Sequence, residues 1–141
     1  MRILFDTNVV LDVLLDRHPH AVVAAELFVH VERKRVDGLL GATTVTTVHY
    51  LATKAVGTAR ARSHLRTLLS IFDVAPIDGD VLADALALGF ADFEDAVLHE
   101  AARHAGATGI VTRDPKGFAG ARLSVYPPDE LLRMVRLLPG R

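Results

Sequence analysis

The feature that most constrains this chain is its opening, a short apolar run, Ile3-Leu4-Phe5, that breaks into Asp6-Thr7-Asn8 before a helical pattern begins. The run reads as a buried strand, and an open α/β sheet binds its ligands outside the carboxyl ends of its strands. Asp6 therefore stands where chemistry usually takes place. A carboxylate there must be paired, hydrogen-bonded or metal-bound, because an isolated buried charge is too costly. Asp, Thr and Asn are also good helix caps, so the tripeptide alone serves equally well as the start of a helix.

The rest of the chain alternates in the same way. Val9, Val10, Val13 and Leu14 recur at helical spacing until His18-Pro19-His20 interrupts them. A second helix is expected over residues 21–35, with Val22, Ala25, Leu27 and Val29 on its apolar side. Asp37-Gly38 is a turn signal, and residues 39–42 are a strand candidate. The Thr and Val content of residues 43–56 favours a strand, yet Val45, Val48, Leu51 and Ala52 fit a helical stripe, and a helix is expected. Gly57-Thr58 separates it from a helix over 59–72. Residues 74–77, 108–112 and 123–126 read as further strands. Asp78 opens a helix ending at Leu88, Asp92 opens one ending near Ala105, and Pro127-Pro128-Asp129 starts the last. Strands separated by helices or helix pairs imply parallel pairing with right-handed crossovers, hence an α/β fold.

Half of the 141 residues are hydrophobic and only 6% aromatic, which suits helices packed on a parallel sheet. A formal net charge of −1 provides no global basic field for nucleic acid, so any such binding must come from local patches. The absence of Cys excludes disulfides and thiolate ligands and fits a reducing compartment. The N-terminus enters a strand at once, and every apolar run is too short to span a membrane. One soluble cytoplasmic domain, with no membrane partner, is expected.

Acidic residues recur where such a sheet keeps its site: Asp6, Asp114 after a later strand, and Asp92-Phe93-Glu94-Asp95. On a helical wheel stepping about 100° per residue, Asp95 lies at the rim of the apolar arc of Val97, Leu98, Ala101, Ala102 and Ala105. Asp92 and His99 fall on the same side, and Glu94 sits in the first turn. Acids at a helix start are ordinary, since they cap it and complement its dipole. Three carboxylates converging on one sheet edge are not, because they repel by several kcal/mol unless a cation neutralises them. Oxygen ligands select a hard ion, Mg²⁺ or Mn²⁺, which can activate water and stabilise charge on a phosphodiester.

The strand running into Asp-Thr-Asn, the Thr-rich helix start, Asp-Phe-Glu-Asp-Ala, and Ile-Val-Thr-Arg-Asp before a Phe together resemble the PIN-domain family. More closely they are similar to its small single-domain ribonuclease toxins of the VapC type, from bacterial toxin–antitoxin pairs. The similarity runs from Arg2 to about Leu132. It implies one PIN-like domain over residues 1–141, a three-layer α/β/α arrangement around a central parallel sheet. It also implies a Mg²⁺- or Mn²⁺-dependent endoribonuclease, usually a homodimer, that cleaves an RNA substrate and is inhibited by a cognate antitoxin protein.

By that resemblance Asp6 and Asp95 match direct metal ligands and Asp114 a weaker one, with Asp92 one turn before Asp95. Thr7, Asn8 and Thr112 match the residues that orient the first acid. The chain departs from the family at His49-Tyr50, where many members carry a Glu, and at Gly117, where relatives commonly show an Asp. Asp92 or Glu94 fills the first gap, or the metal binds more weakly. The departures also fit an alternative, a PIN-like protein weakened in catalysis that binds RNA or protein. His49 is a candidate metal or phosphate contact or simply a helix rim. His99 could hydrogen-bond Asp95 or sit on the surface. Arg113 and Lys116, with Lys54, Arg60, Arg62 and Arg66, are candidate RNA phosphate contacts. Tyr50 and Phe118 are the nearest aromatics, too few for an extended stacking platform.

Overall fold

The computed structural model describes residues 1–139. Five strands, β1 (Arg2–Phe5), β2 (Asp37–Gly41), β3 (Asp73–Ala75), β4 (Gly109–Val111) and β5 (Ser124–Tyr126), form one sheet. All pair in parallel, in the order β3-β2-β1-β4-β5. Seven α-helices connect and cover them: α1 (Thr7–Leu14), α2 (His20–Glu32), α3 (Ala42–Val56), α4 (Thr58–Ile71), α5 (Gly79–Leu88), α6 (Phe93–His104) and α7 (Pro128–Arg136).

Successive side chains of a strand point to opposite faces, and the core divides accordingly. Ile3, Phe5, Leu40 and Val111 face one layer, where Val9, Leu27, Val48, Leu68 and Leu131 supply α1, α2, α3, α4 and α7. Leu4, Leu39 and Ile110 face the other, against Val81, Ala85, Leu98 and Ala101 of α5 and α6. Phe5, Phe28 and Phe72 close the first layer edge to face, with centroids 5.0–5.9 Å apart. The three-layer α/β/α arrangement expected from the sequence is the one observed.

The order of the strands fixes the site. The chain lays down β1, β2 and β3 outward on one side, then returns to place β4 on the other side of β1. The carboxyl ends of β1 and β4 thus flank the crevice where strand order reverses, the position at which such sheets bind ligands.

Several local expectations are corrected. β2 begins at Asp37, so the Asp37-Gly38 pair is strand and not turn; Arg2 of β1 bridges to Asp37 at 3.1 Å. β3 ends at Ala75, two residues before the expected limit, because it is an edge strand with only β2 to pair. Thr112 and Leu123 lie outside β4 and β5. On α2 the buried residues are Ala21, Ala24, Leu27 and Val31, whereas Val22 and Val29 are exposed, so the apolar side was misplaced by part of a turn. That helix is apolar nearly all round, and its periodicity carries little information. Near the C-terminus Leu131, Leu132 and Val135 close the core, and Leu137 is exposed.

At Gly109 of β4 a Cβ would meet the Tyr126 ring at 2.7 Å, the Ser124 carbonyl at 3.1 Å and Ile3 at 3.2 Å. Backbone on one side and core on the other leave nothing free to move. Gly109→Ala should therefore lower stability by about 1–3 kcal/mol, read as a lower urea midpoint with unchanged m-value; an unshifted midpoint would show that β5 can slide.

Candidate active site

Asp6 is both things its sequence allowed. It caps α1, its carbonyl accepting from Val9 N–H at 3.1 Å, and its own N–H extends the β1–β4 ladder to Val111 O at 3.0 Å. Its carboxylate is buried, one oxygen accepting from Thr7 N–H at 2.7 Å and the other from the Thr112 hydroxyl at 2.8 Å. Having donated its proton to Asp6, the Thr112 oxygen accepts from Asp114 N–H at 3.0 Å and from the Asn8 amide at 3.5 Å. Thr7, Asn8 and Thr112 thus sit around Asp6 as the sequence suggested. Burial pushes the Asp6 carboxyl above the ordinary range, Thr112 and Thr7 pull it back, and neighbouring Asp114 and Asp92 push it further up.

The remaining acids arrive on α6 and on the loop after β4. Asp92 is the N-cap of α6, accepting from Asp95 N–H at 3.2 Å, so the ordinary role of a helix-start acid is real for this residue. Asp95 has no such task. Desolvation and then the charges of Asp6, Asp92, Asp114 and Glu94 push its carboxyl up to about 7. A helix N-terminus favours the anion, so burial and crowding together outweigh the dipole here. Asp114, exposed, leads into a short 3₁₀ turn, Pro115–Phe118, whose Gly117 backbone closes over the pair. A Cβ at Gly117 would stand 2.6 Å from Asp95 Oδ2 and 3.4 Å from Asp114 Oδ2. Only a residue without a side chain fits there while Asp95 keeps its rotamer.

This donor set is all carboxylate oxygen and strongly anionic, which suits a hard divalent cation. Asp6 keeps lone pairs beyond its two hydrogen bonds, and Asp95 and Asp114 face each other across Gly117. No three His, Asp or Glu side chains among the described residues converge at direct ligating geometry. A hard ion that keeps several waters can bridge such a set.

Other candidates are placed elsewhere. Arg113 does not reach free toward a substrate: its guanidinium grips the buried Asp12 at 2.6 and 3.2 Å, and Arg17 holds the same carboxylate at 2.9 Å. Breaking such a buried pair costs about 3 kcal/mol or more, so the clamp ties α1 to the loop carrying Asp114. The sequence gave no signal for this role of Asp12. His99 is fully buried, and its Nε2 accepts from the N–H groups of Arg122 and Leu123 at 3.0 and 3.4 Å. That leaves Nδ1 to donate to Glu100 at 3.0 Å, so His99 is neither a surface residue nor a partner of Asp95. Burial raises the Glu100 carboxyl, but hydrogen bonds from Arg103 and His99 win and hold it below its ordinary range.

From α3 it is Thr44, not His49, that reaches the acidic corner, its hydroxyl 2.9 Å from that of Thr7. His49 is half-buried with no hydrogen bond among the described residues, and Lys116 is exposed on the 3₁₀ turn. Lys54 lies over the Tyr50 ring at 4.4 Å, and Phe118 is buried, so neither expected aromatic faces the acids as a free platform. Phe93, whose neighbours drew all the attention in the sequence, is 47% exposed. With Thr47, Leu82, Glu94 and Val97 it lines a cavity of about 360 Å³ beside the acidic pocket.

A family model described as the PIN domain matches residues 2–116. The chain belongs to the PIN-domain family. Among solved structures, a chain of a toxin–antitoxin complex from Klebsiella pneumoniae superposes on this PIN domain with a TM-score of 0.69 at 26% identity, covering 89% of this chain and 97% of that one. A VapBC2 chain from Rickettsia felis, in a complex bound to a promoter DNA fragment, gives 0.70 at 15% identity over 90% and 98% of the two chains. A sarcin–ricin-loop-cleaving toxin of Mycobacterium tuberculosis gives 0.63 at 15% identity over 77% and 86%. These last two share the fold. No curated protein sequence gives a significant match.

Crowding of the acids makes a pH prediction. Asp95 releases its proton near 3.8 when unfolded and near 7 when folded, so between those values the folded state binds more protons and loses stability as pH rises. In chelator, the melting temperature should fall from about pH 5 to about pH 8 and level off above the folded value. Asp95→Asn should flatten that slope, and an equally steep slope in the variant would place the repulsion elsewhere.

Proposed function

We propose that this PIN domain is a Mg²⁺- or Mn²⁺-dependent endoribonuclease, the toxin of a toxin–antitoxin pair. The observation that carries the proposal is the gathering of Asp6, Asp92, Asp95 and Asp114 where strand order reverses, with the Asp95 carboxyl raised to about 7 by burial and then by the charges of the other acids. Acids held together at such cost to the unliganded fold have a purpose if a cation completes them. The Klebsiella pneumoniae relative, a toxin–antitoxin complex, and the RNA-loop-cleaving Mycobacterium tuberculosis toxin support the substrate class and the antitoxin partner.

Asp6, Asp95 and Asp114 would hold the ion, with Asp92 contributing its free oxygen. Bound there, a divalent cation supplies Lewis acidity, activating water and neutralising charge on a phosphodiester. The protein's part is orientation. Thr112 and Thr7 fix both oxygens of Asp6, Asn8 and Asp114 are tied to the same Thr112 hydroxyl, and the Asp12–Arg113 clamp holds the loop on which Asp114 sits. Glu94 lines the adjoining cavity and is the weakest candidate ligand of the set. With an ion there to activate water, no side chain of this protein would be needed as nucleophile.

Asp6→Asn keeps the shape of the cap while removing the charge, at the cost of one of the two hydrogen bonds the carboxylate accepts. It should reduce Mg²⁺-dependent RNA cleavage about a hundredfold or more with an unchanged circular dichroism spectrum; undiminished cleavage would remove Asp6 from the site. In a bacterial host, induction of the wild-type chain alone should arrest growth and induction of Asp6→Asn should not. Equal growth with both soluble proteins would count against the toxin role.

A further inference from the structure

The cavity lined by Phe93 lies beside the acidic pocket and, Glu94 apart, is built of residues that are not candidate ligands. The first turn of α6 is divided between them: Asp92 and Asp95 crowd Asp6, while Phe93 and Glu94 line the cavity. The start of α3 is divided the same way, Thr44 bonding Thr7 next to Asp6 and Thr47 bordering the cavity. A polynucleotide with a phosphate at the acids therefore has an adjoining base within reach of the cavity.

We infer that this cavity is a subsite for a single unstacked nucleobase beside the scissile phosphate. The inference rests on the nuclease proposal. A volume of about 360 Å³, with Leu82 and Val97 as apolar wall, has room for a base. Phe93, 47% exposed, offers an aromatic face at the rim, and single-stranded RNA is read by splaying bases onto such faces and hydrogen-bonding their edges. Phe118 is buried and Tyr50, with Lys54 over its ring, is not part of the cavity wall, so Phe93 is the aromatic ring of this lining.

Glu94 sets the chemistry of the edge. An ionised carboxylate only accepts hydrogen bonds, so it selects a base that donates from its Watson–Crick edge. Guanine presents two adjacent N–H donors to a carboxylate's two oxygens, and cytosine and adenine each present an amino group. Uracil presents one N–H between two carbonyls that a carboxylate repels. Thr43, Thr46 and Thr47 also line the cavity with hydroxyls that accept as well as donate, so its one charged group sets the preference, for guanine over uracil.

The test has an arm that needs no cleavage. Guanosine 5′-monophosphate added to ¹⁵N-labelled protein should shift the amides of Thr47, Phe93, Glu94 and Val97, more than uridine 5′-monophosphate does and with no counterpart for ribose 5-phosphate. Phe93→Ala should weaken that binding about fivefold or more, and Phe93→Trp should restore it. On short RNAs varied one base at a time around the cut, wild type should prefer guanine at one position and Phe93→Ala should lose the preference. Equal shifts with ribose 5-phosphate, or a preference intact in Phe93→Ala, would overturn the subsite. So would shifts of the same amides on concentrating the protein without nucleotide, which would make the cavity a contact between copies. RNA cleavage without base dependence leaves the nuclease proposal and removes the subsite; guanine-selective binding without cleavage does the reverse.

Discussion

Carboxylates repel, and this fold is arranged so that they cannot move apart. β1 ends in Asp6, with its backbone locked to β4 and its two oxygens held by Thr7 and Thr112. α6 is pinned along the buried layer by Val97, Leu98, Ala101 and Ala102, so its first turn delivers Asp95 to Asp6 whether or not the charges approve. The 3₁₀ turn after β4 is anchored by Phe118 in the same layer and lays Gly117 against Asp95. Hydrophobic burial, tens of side chains strong, holds an electrostatic conflict of a few groups.

Two aspartates six positions apart show how the same side chain is put to opposite uses. Asp12 is almost fully buried and is gripped by both Arg17 and Arg113, so its charge is settled inside the protein. Asp6 has only neutral donors around it, and its nearest charges are negative. The arginine that a phosphate contact would have required is already engaged at Asp12. A second settled group, the His99–Glu100–Arg103 chain, lies one turn beyond Asp95 on α6 and fastens the loop leading into β5. Satisfied charges brace the region on both sides, and the unsatisfied ones are confined to the crevice between.

Much of this could be read from the residues in order. Short apolar runs alternating with helical stripes gave a parallel sheet, and the carboxyl end of the first run located Asp6. The Asp92 cluster was ambiguous by itself, and the structure shows why: Asp92 does cap α6, while its neighbour Asp95 does not. What stayed illegible depended on contacts across the chain. Nothing local marks Asp12 for Arg113, a hundred residues later, or sends His99 inward to two backbone N–H groups. The apolar side of α2 was misread because Val22 and Val29 are exposed on a helix with too many apolar residues to show a period. Phe93 was passed over because the acids on either side seemed to explain the block.

The central strand of this sheet is the first segment of the chain. β1 has nothing to pair with until β2 follows some thirty residues later, and its second neighbour, β4, comes from residues 109–111. Asp6 therefore gains its Thr112 partner and its Asp114 neighbour only from residues more than a hundred positions later. Contacts of such sequence separation form late and slowly. A chain that stops short of β4 carries the first acid without its companions, so the acidic crevice exists only once the strand from residues 109–111 is in place.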